Sequence, residues 1–143
     1  MKHFLREIDQ LKQMIRSLCA IVDKSVKTAV RSIEERDFHI ANEVIKKGDD
    51  IDQMENDIDE KCITIISLFQ PVAIDLRLIV AISRINTELE RIGDLAENIA
   101  ERAIFLTDED MIEIPFNFAD MTEKTLSMLN KSIIKLYIFN RQI

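Results

Sequence analysis

Residues that turn a chain are scarce here. The 143 residues include two glycines and two prolines. That is too few for the frequent reversals of an all-β fold, so long helices become the default. Tryptophan is absent, and the two histidines, His3 and His39, complete no Glu-x-x-His pair of the kind a ferritin-like di-iron centre requires. The two cysteines, Cys19 and Cys62, fall in apolar runs with no CxxC spacing, which favours buried free thiols in a reducing compartment over a disulfide. No apolar run approaches the roughly 20 residues of a membrane span, and the first residues bring in charge without a signal-peptide core. A cytoplasmic protein with no direct membrane insertion is expected. Positive charge is the minority sign, 19 Lys and Arg against 26 Asp and Glu, for a net −7. A nucleic-acid binder would present a basic surface, so nucleic acid is not an expected partner. There is no glycine-rich phosphate loop, nucleophile elbow or zinc motif, and the expectation is that the chain is not an enzyme.

What remains is amphipathic. Hydrophobic residues make up 47% and charged residues 31%, the balance of helices with one buried face. Phe4, Ile8, Leu11, Ile15, Leu18, Val22, Val26, Ala29 and Ile33 recur every three or four residues and predict a first helix over 4–34. A polar break, Glu34-Glu35-Arg36-Asp37, follows, with Asp37 placed to cap the next helix. Val44, Ile51, Ile58 and Ile65 are spaced by sevens and predict a second helix over 38–68. Gly48 interrupts it, but the heptad phase continues, which favours one helix. Gln70-Pro71 closes it, and Pro71 opens either the third helix or the turn before it.

The third helix runs to about Leu106. Ile85, Leu89, Ile92, Ala96, Ile99 and Ala103 form its predicted buried seam. Beside this seam stands a row of acids, Glu90, Asp94, Glu97 and Glu101, and Asp52, Glu55 and Asp59 are spaced three and four apart on the second helix. Carboxylates at i and i+4 can turn two oxygens toward one hard cation. The plainer reading is a solvated face paired with Arg84, Arg91 and Lys61. Arg77, Arg84 and Arg91 form a similar strip, read as intrahelical pairing such as Arg84 with Glu88 rather than as a docking surface. Gly93 lies among the acids, where glycine costs about 1 kcal/mol against alanine and signals a close approach to the backbone.

Glu90-Arg91-Ile92-Gly93-Asp94 followed by Asn98-Ile99-Ala100-Glu101, with Gln70-Pro71-Val72-Ala73 and Asp75-Leu76-Arg77 upstream, resembles the signature of the PhoU family, the phosphate-specific transport system accessory proteins. The resemblance implies an all-α fold, an antiparallel three-helix bundle over 1–107. An acidic linker over 108–115 and a further helix over 116–143 would follow, that helix beginning a second repeat that is cut short. An internal echo agrees with this: Asn130-Lys131-Ser132-Ile133 resembles Asp23-Lys24-Ser25-Val26 at an offset of 107.

The resemblance also implies a function, a cytoplasmic adaptor between the phosphate ABC transporter ATPase and a sensor histidine kinase. It would repress the phosphate-starvation response when phosphate is plentiful. Family members bind multinuclear iron or other metal ions through acid-x-x-x-Asp motifs, which Glu90 and Asp94 match. The alternatives are a metal-binding helical protein without a signalling role and a helical oligomerisation module. The last helix leaves Leu126, Leu129, Ile133, Ile134, Leu136, Tyr137, Ile138 and Phe139 to be covered. Either a second copy covers them, giving a homodimer, or the helix docks on its own chain.

Overall fold

The computed structural model describes residues 1–107 and 117–139, the side chains of 136–139 excepted. The expected acidic linker at 108–115, the start of the last predicted segment at Phe116, residues 140–143 and the side chains of Leu136, Tyr137, Ile138 and Phe139 lie outside the described residues. Four helices carry the chain: α1 (Lys2–Glu34), α2 (Phe38–Phe69), α3 (Ala73–Leu106) and α4 (Phe118–Phe139). No strand occurs among the described residues. The first three helices, of 33, 32 and 34 residues, run up, down and up, each packed on the other two.

The heptads of the sequence become the core. Leu11, Ile15, Leu18 and Val22 of α1 meet Ile51, Ile58 and Ile65 of α2 and Ile79, Ile82 and Leu89 of α3. Phe4 and Phe69 close one end, their rings 5.5 Å apart. At the other end the core narrows to Ala29, Ala41, Ala96, Ala100 and Ala103, where small side chains let the helices converge.

The turns follow from local chemistry. Between α1 and α2, Arg36 takes a positive φ of 50° and Asp37 caps α2, its Oδ1 accepting the His39 N–H at 2.9 Å. The Arg36 guanidinium donates to the Leu106 carbonyl at 2.8 Å, tying this turn to the last turn of α3. Pro71 does not open α3. It sits in the turn between Gln70 (φ 45°) and an extended Val72, and the helix starts at Ala73. α2 passes through Gly48 without a break.

The seam of α3 is the predicted one in part. Leu89, Ala96 and Ala103 are buried, but Ile85, Ile92 and Ile99 are only half-buried, and Asn86, Gly93 and Ala100 take the inner positions. A helix wedged between two neighbours buries its narrowest line of side chains, and here that line is small or polar. The bulky isoleucines flank the contact and pack from its sides.

α4 docks on α1 of its own chain. Leu126 and Ile133 are buried, and Leu129 packs against the main core. Asn130 lies against Cys19 and Asp23, while Ala119 and Glu123 share a groove with Arg31 and Glu34, so the two helices are antiparallel. Met121, Met128 and Ile134 stay exposed.

Candidate metal centre

Carboxylates gather along the junction of α2 and α3 because the two helices present their acidic rows to each other. Gly93 makes this approach possible. A Cβ built on it would lie 3.2 Å from Ile51 Cγ2, so its absence lets the buried Ile51 seat against the α3 backbone. Asp52, the next residue on α2, is thereby brought level with Glu90 and Asp94. One carboxylate oxygen from each of these three lies within 4.8 Å of the others. Asp52 and Asp94 are exposed and Glu90 is half-buried.

The other predicted acids divide around this trio. Asp59 is drawn away by Asn86, whose Nδ2 donates to Asp59 Oδ1 at 3.2 Å and to the Glu55 carbonyl at 3.0 Å. Glu55 stands between, and its carboxyl is pushed upward by burial and then by Asp59, Asp52 and Asp94. Glu97 sits one turn past Asp94, over Gly48 of α2, where a Cβ would lie 2.7 Å from its Oε2. Burial, then Glu101, Asp94, Asp52 and Asp49, raise its carboxyl as well. Glu101 is exposed beside Glu97, outside the trio.

Glu90 carries the largest effect. A hydrogen bond with Asp94, then burial, then the charges of Asp94, Glu55 and Asp52 push its carboxyl up to about 7. Negative charge is thus concentrated until one group holds its proton near neutrality, which is the condition in which a cation displaces that proton. The donor set is all carboxylate oxygen, the chemistry of a hard cation. Its spacing fits: ligand oxygens about 2.0–2.5 Å from one ion are themselves about 3–5 Å apart. The residues present therefore fit a metal ion, with Asp52, Glu90 and Asp94 to hold it and Glu55 and Glu97 within the same field.

The basic residues proposed as partners do not neutralise this face. Lys61 pairs across to Glu7 and Gln10 of α1. Arg91 approaches Glu88 at 3.9 Å, not the acidic trio. Arg84 makes no ion pair with Glu88 among the described residues.

Asn86 is the residue that sequence reasoning missed. It is fully buried, and its Oδ1 has no hydrogen-bond partner. Its position four before Glu90 was a usable signal, since a polar residue one turn before an acid lies on the same face.

A family model described as PhoU domain matches residues 15–103, which span both acidic rows. The chain is 40% identical over 129 residues to the phosphate-specific transport system accessory protein PhoU homolog of Aquifex aeolicus, a match covering 90% of this chain and 58% of that protein. It is 30% identical over 127 residues to the phosphate-specific transport system accessory protein PhoU of Escherichia coli, covering 89% and 53%. The crystal structure of PhoU from Pseudomonas aeruginosa superposes with a TM-score of 0.79 at 36% identity, covering 96% of this chain and 65% of that one. The chain thus spans little more than half the length of the relatives it matches in sequence.

Proposed function

Because the chain belongs to the PhoU domain family, we propose that it regulates phosphate uptake and the phosphate-starvation response as a cytoplasmic adaptor. Its partners are the ATPase of a phosphate ABC transporter and a sensor histidine kinase, and the response is held off when phosphate is plentiful. The observation that carries this reading is the family match over residues 15–103, and the juxtaposition of Asp52, Glu90 and Asp94 within that segment supports its metal-binding part. The acidic face offers a row of oxygens on two long helices, a surface suited to docking.

A bound iron or other divalent ion would supply positive charge there. The chain's own part is to hold the oxygens. Gly93 sets the helix spacing, Asn86 fixes the α2–α3 register, and Glu90, with Asp52 and Asp94, would hold the ion as a carboxylate. Homodimerisation belongs to the same proposal. With α4 seated on α1 of its own chain, it needs no helix exchange and would use the exposed Met121, Met128 and Ile134.

The test is a gene deletion scored with a phosphate-starvation reporter in phosphate-rich medium. The reporter should turn on. The intact gene should silence it, and a gene carrying Glu90→Gln with Asp94→Asn should not. A reporter that stays silent in the deletion, where no second family member is encoded, removes the signalling role. If elemental analysis of the purified protein then finds metal that the double variant lacks, the remaining reading is a metal-binding protein without that role.

A further inference from the structure

α1 borders cavities on two sides. Asp23, Lys27 and Val30 turn toward α4, whereas Ile21, Lys24, Ser25 and Thr28 line a cavity of about 290 Å³ against α2. α4 leaves this cavity open, and its lining shares no residue with the acidic face. Ile21 and the buried Val44 give it an apolar floor. Three ammonium groups, those of Lys24, Lys46 and Lys47, stand around it in a chain whose net charge is −7.

These lysines are available. Neither Lys24 nor Lys46 takes part in an ion pair among the described residues. Lys47 reaches Asp50 at 3.6 Å through an exposed pair that is worth little. Ser25 is only 5% exposed and lines the cavity, and its hydroxyl makes no hydrogen bond to protein among the described residues. The hydroxyl is open to the cavity and free to donate to a group bound there.

We propose that this cavity binds a small organic phosphate monoester. Two unpaired ammoniums and a hydroxyl donor suit a dianion with three terminal oxygens better than a carboxylate. An apolar floor, in a space close to the lower limit of about 300 Å³ for small-molecule sites, calls for an organic body that inorganic phosphate lacks. Glu43 on the rim disfavours a second anionic group and limits the ligand to one charged end.

The internal echo does not repeat the cavity. Lys24-Ser25 recurs as Lys131-Ser132 on α4. The apolar member of that echo is explained by packing, since Ile133 is buried. Lys131 and Ser132 are exposed on α4, with the Ser132 hydroxyl donating to the Met128 carbonyl at 2.9 Å, so the cavity belongs to α1 and α2 alone.

Phenyl phosphate, phenol and inorganic phosphate are the probes, titrated into the full chain freed of metal and followed by calorimetry or by ¹H NMR of Val44 and Ile21. Phenyl phosphate should saturate, with phenol and inorganic phosphate at least about tenfold weaker, a difference of roughly 1.4 kcal/mol. Lys24→Ala with Lys46→Ala should weaken phenyl phosphate by about tenfold or more, as expected for loss of charge-assisted contacts, with helicity unchanged by circular dichroism. Asp94→Asn should bind it as the native chain does. Three outcomes overturn the proposal: no saturation by phenyl phosphate, equal binding of inorganic phosphate, or an unaltered affinity in the double lysine variant. Loss of binding in Asp94→Asn would overturn it by assigning the effect to the acidic face.

Discussion

Asn130 donates a hydrogen bond to Asp23 at 3.3 Å, and the two stand 107 positions apart, the same offset that aligns Asn130–Ile133 with Asp23–Val26. Each residue touches its own counterpart in the echo. In an antiparallel helix pair this places a two-fold relation between α1 and α4 at that contact. An aspartate at both positions would set two carboxylates against each other, and the amide on α4 avoids this.

Asn130→Asp should therefore loosen α4. The expected cost is small, about 0.5–1 kcal/mol for a partly exposed like-charge contact. Thiol chemistry gives a sharper readout. Cys19 is buried at this interface, with its Sγ 3.9 Å from Asn130 Oδ1. Its alkylation rate, followed by peptide mass spectrometry, should rise in the variant. The rate at Cys62, in the core of the first three helices, should not change.

The two glycines should respond oppositely. Gly48→Ala puts a Cβ against the far end of the Glu97 side chain, which can swing aside, so the helix gains up to about 1 kcal/mol of propensity and the melting temperature rises. Metal affinity should fall, because Glu97 leaves the acidic row. Gly93→Leu drives a side chain into Ile51 in the core and should cost about 1–3 kcal/mol by overpacking, read as a lower melting temperature.

Glu90 makes stability depend on pH in an unusual direction for a carboxylate. Its proton is held to about 7 in the folded protein against 4.5 for a free group. Between these values the folded state binds more protons than the unfolded one, so stability falls as pH rises. The melting temperature of metal-free protein should drop from pH 5 to pH 8. Glu90→Gln should flatten that slope and raise stability at pH 8. Saturating divalent cation should oppose the drop. A melting temperature that climbs over this range in chelator would contradict the assignment.

Asn86→Leu removes the donor that serves Asp59 and the Glu55 carbonyl. Leaving such groups unpaired costs about 1–3 kcal/mol, measurable by urea unfolding at pH 7. Asn86→Asp should cost more, since it buries a charge beside Asp59. A neutral Asn86→Leu would mean that relieving the orphaned Oδ1 offsets the loss of both hydrogen bonds.

Much of the fold could be read along the chain. The heptads of α2 placed Val44, Ile51, Ile58 and Ile65 in the core, and all four are buried. Continuity through Gly48 followed from unbroken phase. The seam of α3 was read only in part, because the inward residues Asn86, Gly93 and Ala100 are not the bulky ones that periodicity detects. Among the acids, spacing along one helix put Glu90 and Asp94 on a common face. Nothing in spacing could say that Asp52, rather than Glu55 or Asp59, would meet them.

The sequence by itself determined that the chain makes long amphipathic helices, where the first three lie to within a few residues, and that two of them bear acidic rows. These are local properties, set by periodicity, caps and the scarcity of glycine and proline. The tertiary structure alone decided which acids converge, that Asn86 holds one of them apart, and that α4 seats on its own α1. Each depends on the axial register and separation of two helices. Those quantities are fixed where Gly93 meets Ile51 and where Asn130 meets Asp23, contacts between residues far apart in the chain.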